Sequence, residues 1–280
     1  MDIRRLQLTE LEMLDVFSAI CAKYNIKYSL YAGTLLGAVR HKGFIPWDDD
    51  LDVFMLRREY DRFIKAWRKE RPNGYFLQNK DTEWGFTRSF TKIRKDNTTF
   101  LQDNDDPDII HTGIFIDIFP VDRVPKNIFK KTIYYWHCLK YELLSREFVP
   151  PNSNIITKAA ATAVLKITPP KARKSERKRL LRYITKYNDD NSLPLAVIET
   201  VKTMRNLLDH DLFDEYTQIE FEGKYYMCIK KWDHLLKHWY GDYMKLPPIS
   251  ERRSPHVPLI VDFENDYVEH MKQMSNDSMK

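Results

Sequence analysis

The sequence predicts an α/β fold of the α+β kind, in which helices flank a mixed, twisted sheet. Segments with apolar residues at helical spacing, such as residues 9–25, alternate with short apolar runs that are typical of strands, such as residues 51–56 and 113–120. The chain has 280 residues, of which 43% are hydrophobic, so it is long enough to bury a sizeable core. These observations indicate a globular protein rather than a disordered one.

Local signals predict the elements in order. A capping box of Thr9 and Glu12 is predicted to begin the first helix. Residues 26–31 then predict a strand that leads into a turn at residues 33–34, with a short helix after it. We also expect helices at 58–67, 127–148, 155–167 and 232–240, strands at 75–78, 86–94 and 113–120, a strand or short helix at 196–201, a hairpin at 216–229 and a frayed end after residue 265.

Net charge and cysteine spacing restrict the classes of partner and site. The formal net charge of +5 favours an anionic partner such as a nucleotide, a phosphorylated glycan or a membrane surface. The three cysteines are far apart and show no CxxC spacing, so neither a disulfide framework nor a zinc site is expected. The first residues lack a signal-peptide pattern and no apolar run is long enough to span a bilayer, which predicts a cytoplasmic protein.

Four aspartates between residues 48 and 52 form the most specific chemical pattern. Asp50 and Asp52 lie two apart at the head of an apolar run, so both side chains are expected on the same face of a strand. Parallel carboxylates repel each other unless a cation lies between them, and Mg²⁺ or Mn²⁺ suits such oxygen ligands. An EF-hand loop is disfavoured because Val53 stands where that loop needs glycine. A solvated acidic surface remains the commoner alternative.

A Gly33-Thr34 pair and two basic residues, Arg40 and Lys42, precede these aspartates. Backbone N–H groups of a turn that opens a helix can bind a phosphate. The alternative is that the glycine only allows close packing of the backbone. A Gly-Thr turn combined with cations and paired carboxylates is more specific evidence for a phosphate-binding and metal-binding site than the aspartates alone.

Two later strands carry charges in apolar surroundings. On the predicted strand 86–94, Arg88, Lys92 and Arg94 share one face, and such cations need an anion or solvent beside them. Arg88 is interpreted as a surface residue. On the predicted strand 113–120, Asp117 interrupts a continuous apolar run. A carboxylate buried there must be paired, either with a metal ion or with an arginine or lysine elsewhere in the core.

The stretch from Tyr31 to Gly37, together with the stretch from Pro46 to Asp52, closely resembles the LicD family of phosphocholine transferases, which includes the fukutin-related proteins. Further segments that resemble the same family are Thr91–Arg94 with Thr98 and Thr99, Gly113–Pro120, Phe221–Gly223 and Tyr240–Met244. The resemblance extends to about half of the chain and is faint over residues 127–191.

The resemblance implies a nucleotidyltransferase-like domain that transfers a phosphoalcohol, most simply phosphocholine from CDP-choline, to a hydroxyl group. The acceptor would be a glycan or lipid-linked glycan, such as a precursor of teichoic acid, capsule or lipopolysaccharide. By this resemblance, the catalytic and metal-binding residues are Asp50, Asp52 and Asp117, which would hold Mg²⁺ or Mn²⁺. The residues expected to contact the donor phosphates are Gly33, Thr34, Arg40, Lys42, Lys92 and Arg94.

Three parts are expected along the chain: a catalytic core at 1–125, a helical basic segment at 126–191 and a part at 192–280 that completes the domain. The basic helix at 171–186 follows an apolar one and could lie peripherally on an anionic membrane, although a solvated helix face is commoner. No helix-turn-helix, zinc-finger or RNP pattern accompanies the charge, so nucleic acid is not an expected partner.

Two other classes of function stay open from the sequence. The pair Asp50 and Asp52 also occurs as the metal site of nucleotide-sugar glycosyltransferases, which add no phosphorus to their acceptor. A non-catalytic, membrane-associated protein that binds Ca²⁺ through the acidic cluster would bind no nucleotide. The identity of the nucleotide released from a donor would separate these classes.

Overall fold

A computed structural model describes residues 1–103, 105–149, 154–254 and 256–277. The chain forms two compact units. The first unit consists of Met1–Gln78, Thr91–Phe119 and Phe213–Lys280, and the second consists of Asn79–Phe90 and Pro120–Leu212. The predicted α/β class is confirmed, because helices flank a mixed, twisted sheet.

The elements of the described residues are named in chain order. The helices are α1 (Ile3–Lys23), α2 (Ala32–His41), α3 (Arg57–Glu70), α4 (Ile128–Arg146), α5 (Ile155–Ile167), α6 (Pro170–Thr185), α7 (Val201–Arg205), α8 (Trp232–Tyr240) and α9 (Tyr267–Asp277). The strands are β1 (Ser29–Leu30), β2 (Asp52–Leu56), β3 (Tyr75–Gln78), β4 (Thr91–Lys95), β5 (Thr99–Leu101), β6 (Phe115–Arg123), β7 (Leu195–Val197), β8 (Tyr216–Phe221), β9 (Lys224–Ile229) and β10 (Ile260–Asp262). No helix among these is long and apolar enough to cross a membrane.

The main sheet has the strand order β1-β2-β6-β4-β3, and β7 pairs with the C-terminal end of β6. Strand β4 runs antiparallel to both of its neighbours, β3 and β6. Its register places Lys92 opposite Asp117 on β6 and opposite Gln78 on β3. Lys92 and Asp117, which are 25 positions apart in the sequence, are therefore neighbours across the sheet. Arg94 and Phe115 are neighbours in the same way.

Most predicted elements are confirmed, including α3, α4, α5, α8, β3 and the hairpin of β8 and β9 that turns at Glu222-Gly223. The capping box is wrong. Helix α1 begins at Ile3, with the side chain of Asp2 accepting the N–H of Arg5 at 3.0 Å. The hydroxyl of Thr9 lies inside the helix and donates to the carbonyl oxygen of Arg5 at 2.9 Å. Because a threonine inside a helix can bond to the preceding turn, its hydroxyl does not by itself mark a helix start.

Three further boundaries differ from the predictions. Helix α2 begins at Ala32, so Gly33 and Thr34 belong to its first turn and not to a turn before it. Residues 86–90 are not part of β4, which starts at Thr91, where its pairing with β6 begins opposite Ile118. The end expected to fray instead forms α9.

Aromatic packing joins the first two long helices of the first unit to the sheet. The ring of Phe17 on α1 lies 4.8 Å from the rings of both Tyr28 and Phe63, the latter on α3. All three side chains are buried. Aromatic rings of this size dominate the energetics of a core, so this cluster fixes α1 and α3 against the start of β1.

Arg94 is held inside the core of the first unit by polar contacts. Its side chain is fully buried, and its Nε donates to Oε1 of Gln78 at 2.7 Å while its Nη1 donates to the carbonyl oxygen of Gly113 at 2.7 Å. The guanidinium also lies 4.8 Å from the centre of the Phe115 ring. A buried cation of this kind is tolerated only because its N–H groups have partners.

We expect the substitution Arg94→Met to lower the free energy of unfolding by about 2 to 4 kcal/mol, because Gln78 and the carbonyl of Gly113 lose their partner. Urea unfolding followed by circular dichroism measures the change. The matched control is Arg88→Met, since Arg88 is only half-buried and contacts Thr87 at 3.4 Å. Equal stability losses in the two variants would contradict a core role for Arg94.

Candidate functional site

The predicted metal-binding aspartates meet where β2 begins beside β6. The backbone N–H of Asp117 donates to the carbonyl oxygen of Leu51 at 2.9 Å. Asp52 is the first residue of β2, and Asp50 precedes the strand by two positions. Sheet pairing therefore brings the 50–52 segment to Asp117, although Asp50 itself stands outside the regular strand.

Asp48 and Asp50 form a carboxyl pair that strongly resists ionisation. Burial and the charges of Asp50 and Asp49 raise the pKa of Asp48 to about 8, and the two side chains of the pair share a hydrogen bond. Burial likewise raises the pKa of Asp50 to about 6, although the positive charge of His256 opposes this shift. Two partly buried carboxyl groups whose pKa values are raised in this way are short of a cation.

Two fully buried acids lie beside this pair: Asp49, one of the four clustered aspartates, and Glu10, which the sequence did not predict. Glu10 on α1 and Asp49 each have one carboxylate oxygen, Oε2 and Oδ2, without a hydrogen-bond partner among the described residues. Burial first, and then the charges of the neighbouring aspartates, raise the pKa of Glu10 well above its usual range. Sequence reasoning missed Glu10, because its place on a helix 38 residues before Asp48 carries no local signal of this contact.

His256 supplies positive charge from the far end of the chain. Its Nδ1 lies 3.2 Å from Oδ1 of Asp49 and 3.9 Å from Oδ2 of Asp50. Burial alone would lower the pKa of His256, but the hydrogen bond to Asp49 and the charge of Asp50 raise it. The ring also packs edge-on to Phe100 and Phe115. No motif surrounds this histidine, so sequence reasoning did not single it out.

Asp117 has a lysine partner in the sheet. The Nζ of Lys92 lies 2.7 Å from Oδ1 and 3.0 Å from Oδ2 of Asp117, and both side chains are almost fully buried. The same ammonium lies 3.3 Å from the centre of the Phe115 ring. Of the two partners that the sequence left open for Asp117, the core lysine is therefore present, and a role as metal ligand stays a prediction.

The first turn of α2 faces the aspartates. A methyl group built on Gly33 would collide with Oδ2 of Asp48, which explains why glycine stands there. The buried hydroxyl of Thr34 accepts the backbone N–H of Asp52 at 2.8 Å. The helix makes its first backbone bond from Leu35 to the carbonyl of Tyr31, so the amides before Leu35 lie at the positive end of the helix dipole.

The predicted phosphate-binding cations differ in their surroundings. Arg40 donates from Nη1 to the carbonyl oxygen of Tyr243 at 3.0 Å, and its charge favours the ionised form of Asp48. Lys42 is exposed at the C-terminal cap of α2. Burial and the charges of Asp52, Asp48 and Asp50 raise the pKa of Tyr240, so this phenol at the end of α8 also lies in the field of the cluster.

The carboxylates of this cluster fit a hard divalent cation whose coordination shell is completed by substrate. Among the residues that the structure describes, no group of three or more His, Cys, Asp or Glu side chains is already arranged to hold a metal ion. Mg²⁺ usually takes one or two protein carboxylates and completes its shell with water and substrate phosphates. The carboxyl pair of Asp48 and Asp50, with unpartnered oxygens on Glu10 and Asp49 beside it, meets this requirement.

Comparison with known proteins gives concordant results. The model of the family described as LicD/FKTN/FKRP, nucleotidyltransferase domain, matches residues 25–158. The lipopolysaccharide cholinephosphotransferase LicD of Haemophilus influenzae is 32% identical over 262 residues, which cover 91% of this chain and 96% of that protein. An uncharacterized protein of Rickettsia typhi is 34% identical over 83 residues, 28% of this chain and 27% of its own length. Because the similarity to the Haemophilus protein extends over nearly the whole of both sequences, the prediction of the family is confirmed, and the chain belongs to the LicD family.

Proposed function

We propose that this protein transfers phosphocholine from CDP-choline to a hydroxyl group of a glycan and needs Mg²⁺ or Mn²⁺ to do so. The observation that carries the proposal is the carboxyl pair of Asp48 and Asp50, which lies against the glycine-containing first turn of α2. The transferred group is taken from the name of the Haemophilus relative, a lipopolysaccharide cholinephosphotransferase. A lipopolysaccharide or a similar surface glycan is therefore the proposed acceptor.

The proposed metal ligands are Asp50, Asp52 and Asp117, and Asp48 joins them because its carboxyl group bonds to that of Asp50. When bound, a divalent cation would neutralise the pyrophosphate of the donor and the charge that develops as CMP leaves. Hydrogen bonds from neighbouring residues hold these ligands in position. Thr34 holds the backbone of Asp52 at 2.8 Å, and the bond from Asp117 to Leu51 holds the two strands together. Ligands that are fixed by their neighbours lose little entropy on binding.

The first turn of α2 and Arg40 are proposed to bind the donor phosphates. Within the described part of the chain, the amides of residues 32–34 make no backbone hydrogen bond, so they and the helix dipole favour an anion, and Gly33 leaves room for close approach. Arg40 adds a formal positive charge near Asp48. Lys42, which is exposed, would act at longer range. For Arg94 the structure supports a different contribution, since its buried guanidinium ties β4 to Gln78 and Gly113.

Lys92 and Asp117 are proposed to act as a unit on the acceptor. Asp117 would take the proton of the attacking hydroxyl, as a carboxylate within hydrogen-bond reach can. Lys92 contacts both carboxylate oxygens and so orients the group. Its ammonium also supplies positive charge where negative charge builds up during phosphoryl transfer.

The reaction class can be tested with a panel of donors. The protein is incubated with Mg²⁺, a glycan acceptor and, separately, CDP-choline, CDP-ribitol, CDP-glycerol or UDP-sugars, and the released nucleotide is recorded. We expect CMP from CDP-choline and phosphorus in the glycan product. Release of UDP from a UDP-sugar would instead identify a glycosyltransferase, and the absence of any nucleotide release or binding would indicate a non-catalytic protein.

We expect Asp50→Asn and Asp52→Asn to reduce kcat for CMP release by at least about 100-fold, since each removes a charge that holds the cation. Circular dichroism should show that both variants keep the parent fold. The matched control is Asp81→Asn, the same change at an exposed aspartate, which should keep the parent rate. Near-normal rates of Asp50→Asn or Asp52→Asn at saturating Mg²⁺ would rule that residue out as a ligand.

Without divalent cations, we expect the stability of the protein to fall as the pH rises from about 4 to about 8. The raised pKa values of Asp48 and Asp50 mean that the folded chain keeps protons in this range that the unfolded chain has lost. The free energy of unfolding should therefore decrease by at least about 2 kcal/mol over the window. Thermal melting in a chelator, at several pH values, measures this trend.

Mg²⁺ should reverse the loss, raising the melting temperature strongly at pH 8 and little at pH 5, where protons occupy the same carboxylates. Asp48→Asn should flatten the pH dependence, whereas the control Asp81→Asn should retain it. If Asp48→Asn and the parent showed the same pH dependence in chelator, the carboxyl pair would not be the origin of the trend.

Because Lys92 pairs with Asp117, we expect removal of this carboxylate to destabilise the protein even when no metal is present. Asp117→Asn should lower the free energy of unfolding in chelator by about 3 to 5 kcal/mol, because it leaves a buried ammonium without its counter-ion. Adding Lys92→Met to this variant should restore part of the loss, since the uncompensated charge is then removed. Full stability of Asp117→Asn in chelator would show that the carboxylate serves a bound metal and not the lysine.

A further inference from the structure

Charge is distributed very unevenly along the chain. Residues 126–186 contain 15 lysines and arginines against three acids, a formal net charge of +12. The whole chain carries only +5, so the remaining residues together carry −7. The segment belongs to the second unit and contains α4, α5 and α6. Such a local excess of one sign attracts a polyanionic partner.

One side of α6 carries a row of four exposed cations. This basic stripe consists of Lys171, Lys174, Lys178 and Arg182. The spacing of three, seven and eleven residues places the four on one side of the helix, and all are exposed. Among the described residues, their side chains make no hydrogen bond or ion pair. Four cations at this spacing therefore meet only solvent.

The other cations of α6 are used within the second unit. Arg173 and Arg177 bind the carboxylate of Glu147 at 2.9 and 3.4 Å. Arg179 bonds to Glu176, which also binds Lys140 of α4 at 2.6 Å. The contrast shows that the fold pairs its cations where acids are in reach and leaves the basic stripe outside that network.

Large apolar side chains are exposed on the two preceding helices. On α4, Phe129, Ile133 and Trp136 lie at spacings of four and three residues, and 77%, 48% and 61% of their surface is exposed. On α5, Ile156 and Ile167 are even more exposed, at 82% and 75%. We call these five residues the apolar group. Contiguous exposed apolar side chains on a soluble domain usually mark an interaction surface.

The basic stripe and the part of the apolar group on α4 face away from the same core. Helices α4 and α6 lie side by side, with His137 stacked on Tyr183 at a ring distance of 3.9 Å. Both helices bury their inner sides in one cluster, to which Tyr134 of α4 and Ile184 of α6 contribute. The stripe lies opposite Ile184 on its helix, and Phe129, Ile133 and Trp136 lie on the side of α4 away from the cluster. The outward surface of this helix pair therefore combines cations with large apolar side chains.

We propose that the outward surface of α4 and α6, with the exposed side chains of the adjoining α5, docks on an anionic lipid bilayer. Cations would contact the lipid phosphates while Phe129, Trp136 and the isoleucines enter the boundary between headgroups and acyl chains, the arrangement of interfacial helices. A nucleic acid would use the cations but not the apolar group. A second copy of the chain would bring together two segments that each carry a formal net charge of +12. The inference goes beyond the proposed reaction and does not depend on it.

Sedimentation of the full-length protein with vesicles tests the proposal. The vesicles contain phosphatidylcholine alone or with one quarter phosphatidylglycerol, and binding is measured at 25 and 150 mM salt. We expect binding to the anionic vesicles only, weaker at the higher salt, where the Debye length is about 8 Å. Failure of the parent protein to bind anionic vesicles at 25 mM salt would overturn the proposal.

The basic stripe is tested with the fourfold variant Lys171→Gln, Lys174→Gln, Lys178→Gln and Arg182→Gln. Each cation near an anionic bilayer strengthens binding severalfold, so the variant should bind at least about tenfold more weakly. The matched control changes four exposed cations of α3 in the first unit, Arg58, Lys65, Arg68 and Lys69, to Gln. The control removes the same net charge and should bind within about twofold of the parent. Equal weakening in both variants would attribute binding to overall charge and overturn the assignment of the surface.

The apolar group is tested with the double variant Phe129→Ser and Trp136→Ser, whose side chains are exposed, so the fold should persist by circular dichroism. It should bind anionic vesicles at least about tenfold more weakly than the parent. In the parent, tryptophan fluorescence should shift to shorter wavelength on binding, and Trp136→Phe should remove most of that shift. Unchanged vesicle binding of the double variant, tighter binding to duplex DNA than to vesicles at equal salt, or a dimer that the double variant abolishes would each overturn the proposal.

Discussion

Repulsion among buried carboxylates is the constraint that the structure of the first unit has to satisfy. Burial first, and then the charges of neighbouring aspartates, raise the pKa of Glu10, Asp48 and Asp50. Two unit charges 4 Å apart repel by about 4 kcal/mol at an effective dielectric constant of 20, which is a large part of the stability of a typical domain. The fold can hold such a cluster only by supplying positive charge or by keeping protons on it.

The surrounding structure provides part of that compensation. Lys92 pairs with Asp117 across the sheet, and His256 pairs with Asp49. Arg40 acts on Asp48 from the C-terminal half of α2. These cations are held in place by the sheet register, by aromatic packing and by helix ends. They compensate only part of the negative charge, because the pKa values of Glu10, Asp48 and Asp50 stay raised. The remaining deficit of positive charge is the reason for proposing that a divalent cation takes part in the reaction.

The two units carry opposite electrostatic characters. The acids of the first unit are concentrated at a site built on β2, β6 and α2, whereas the second unit concentrates unpaired cations on α6 and exposed apolar side chains on α4 and α5. A net charge of +5 for the whole chain conceals this division. The acidic cluster is the proposed site of a cation and a small donor, whereas the basic surface suits an extended anionic partner, so the two are expected to serve different partners.

Local sequence patterns were sufficient to identify the α/β class, most of the helices, the hairpin, the aspartate cluster and the family, because these depend on periodicity, turn residues and contiguous motifs. They also indicated that Asp117 needs a partner, since a lone acid in an apolar run cannot stay unpaired. Only the tertiary structure decided that the partner is Lys92, that Arg94 is a buried residue bound to Gln78, and that Glu10 and His256 join the aspartates. The physical reason is that strand register and the packing of distant segments set these contacts. Residues 16 to more than 200 positions apart leave no periodic signal of their pairing.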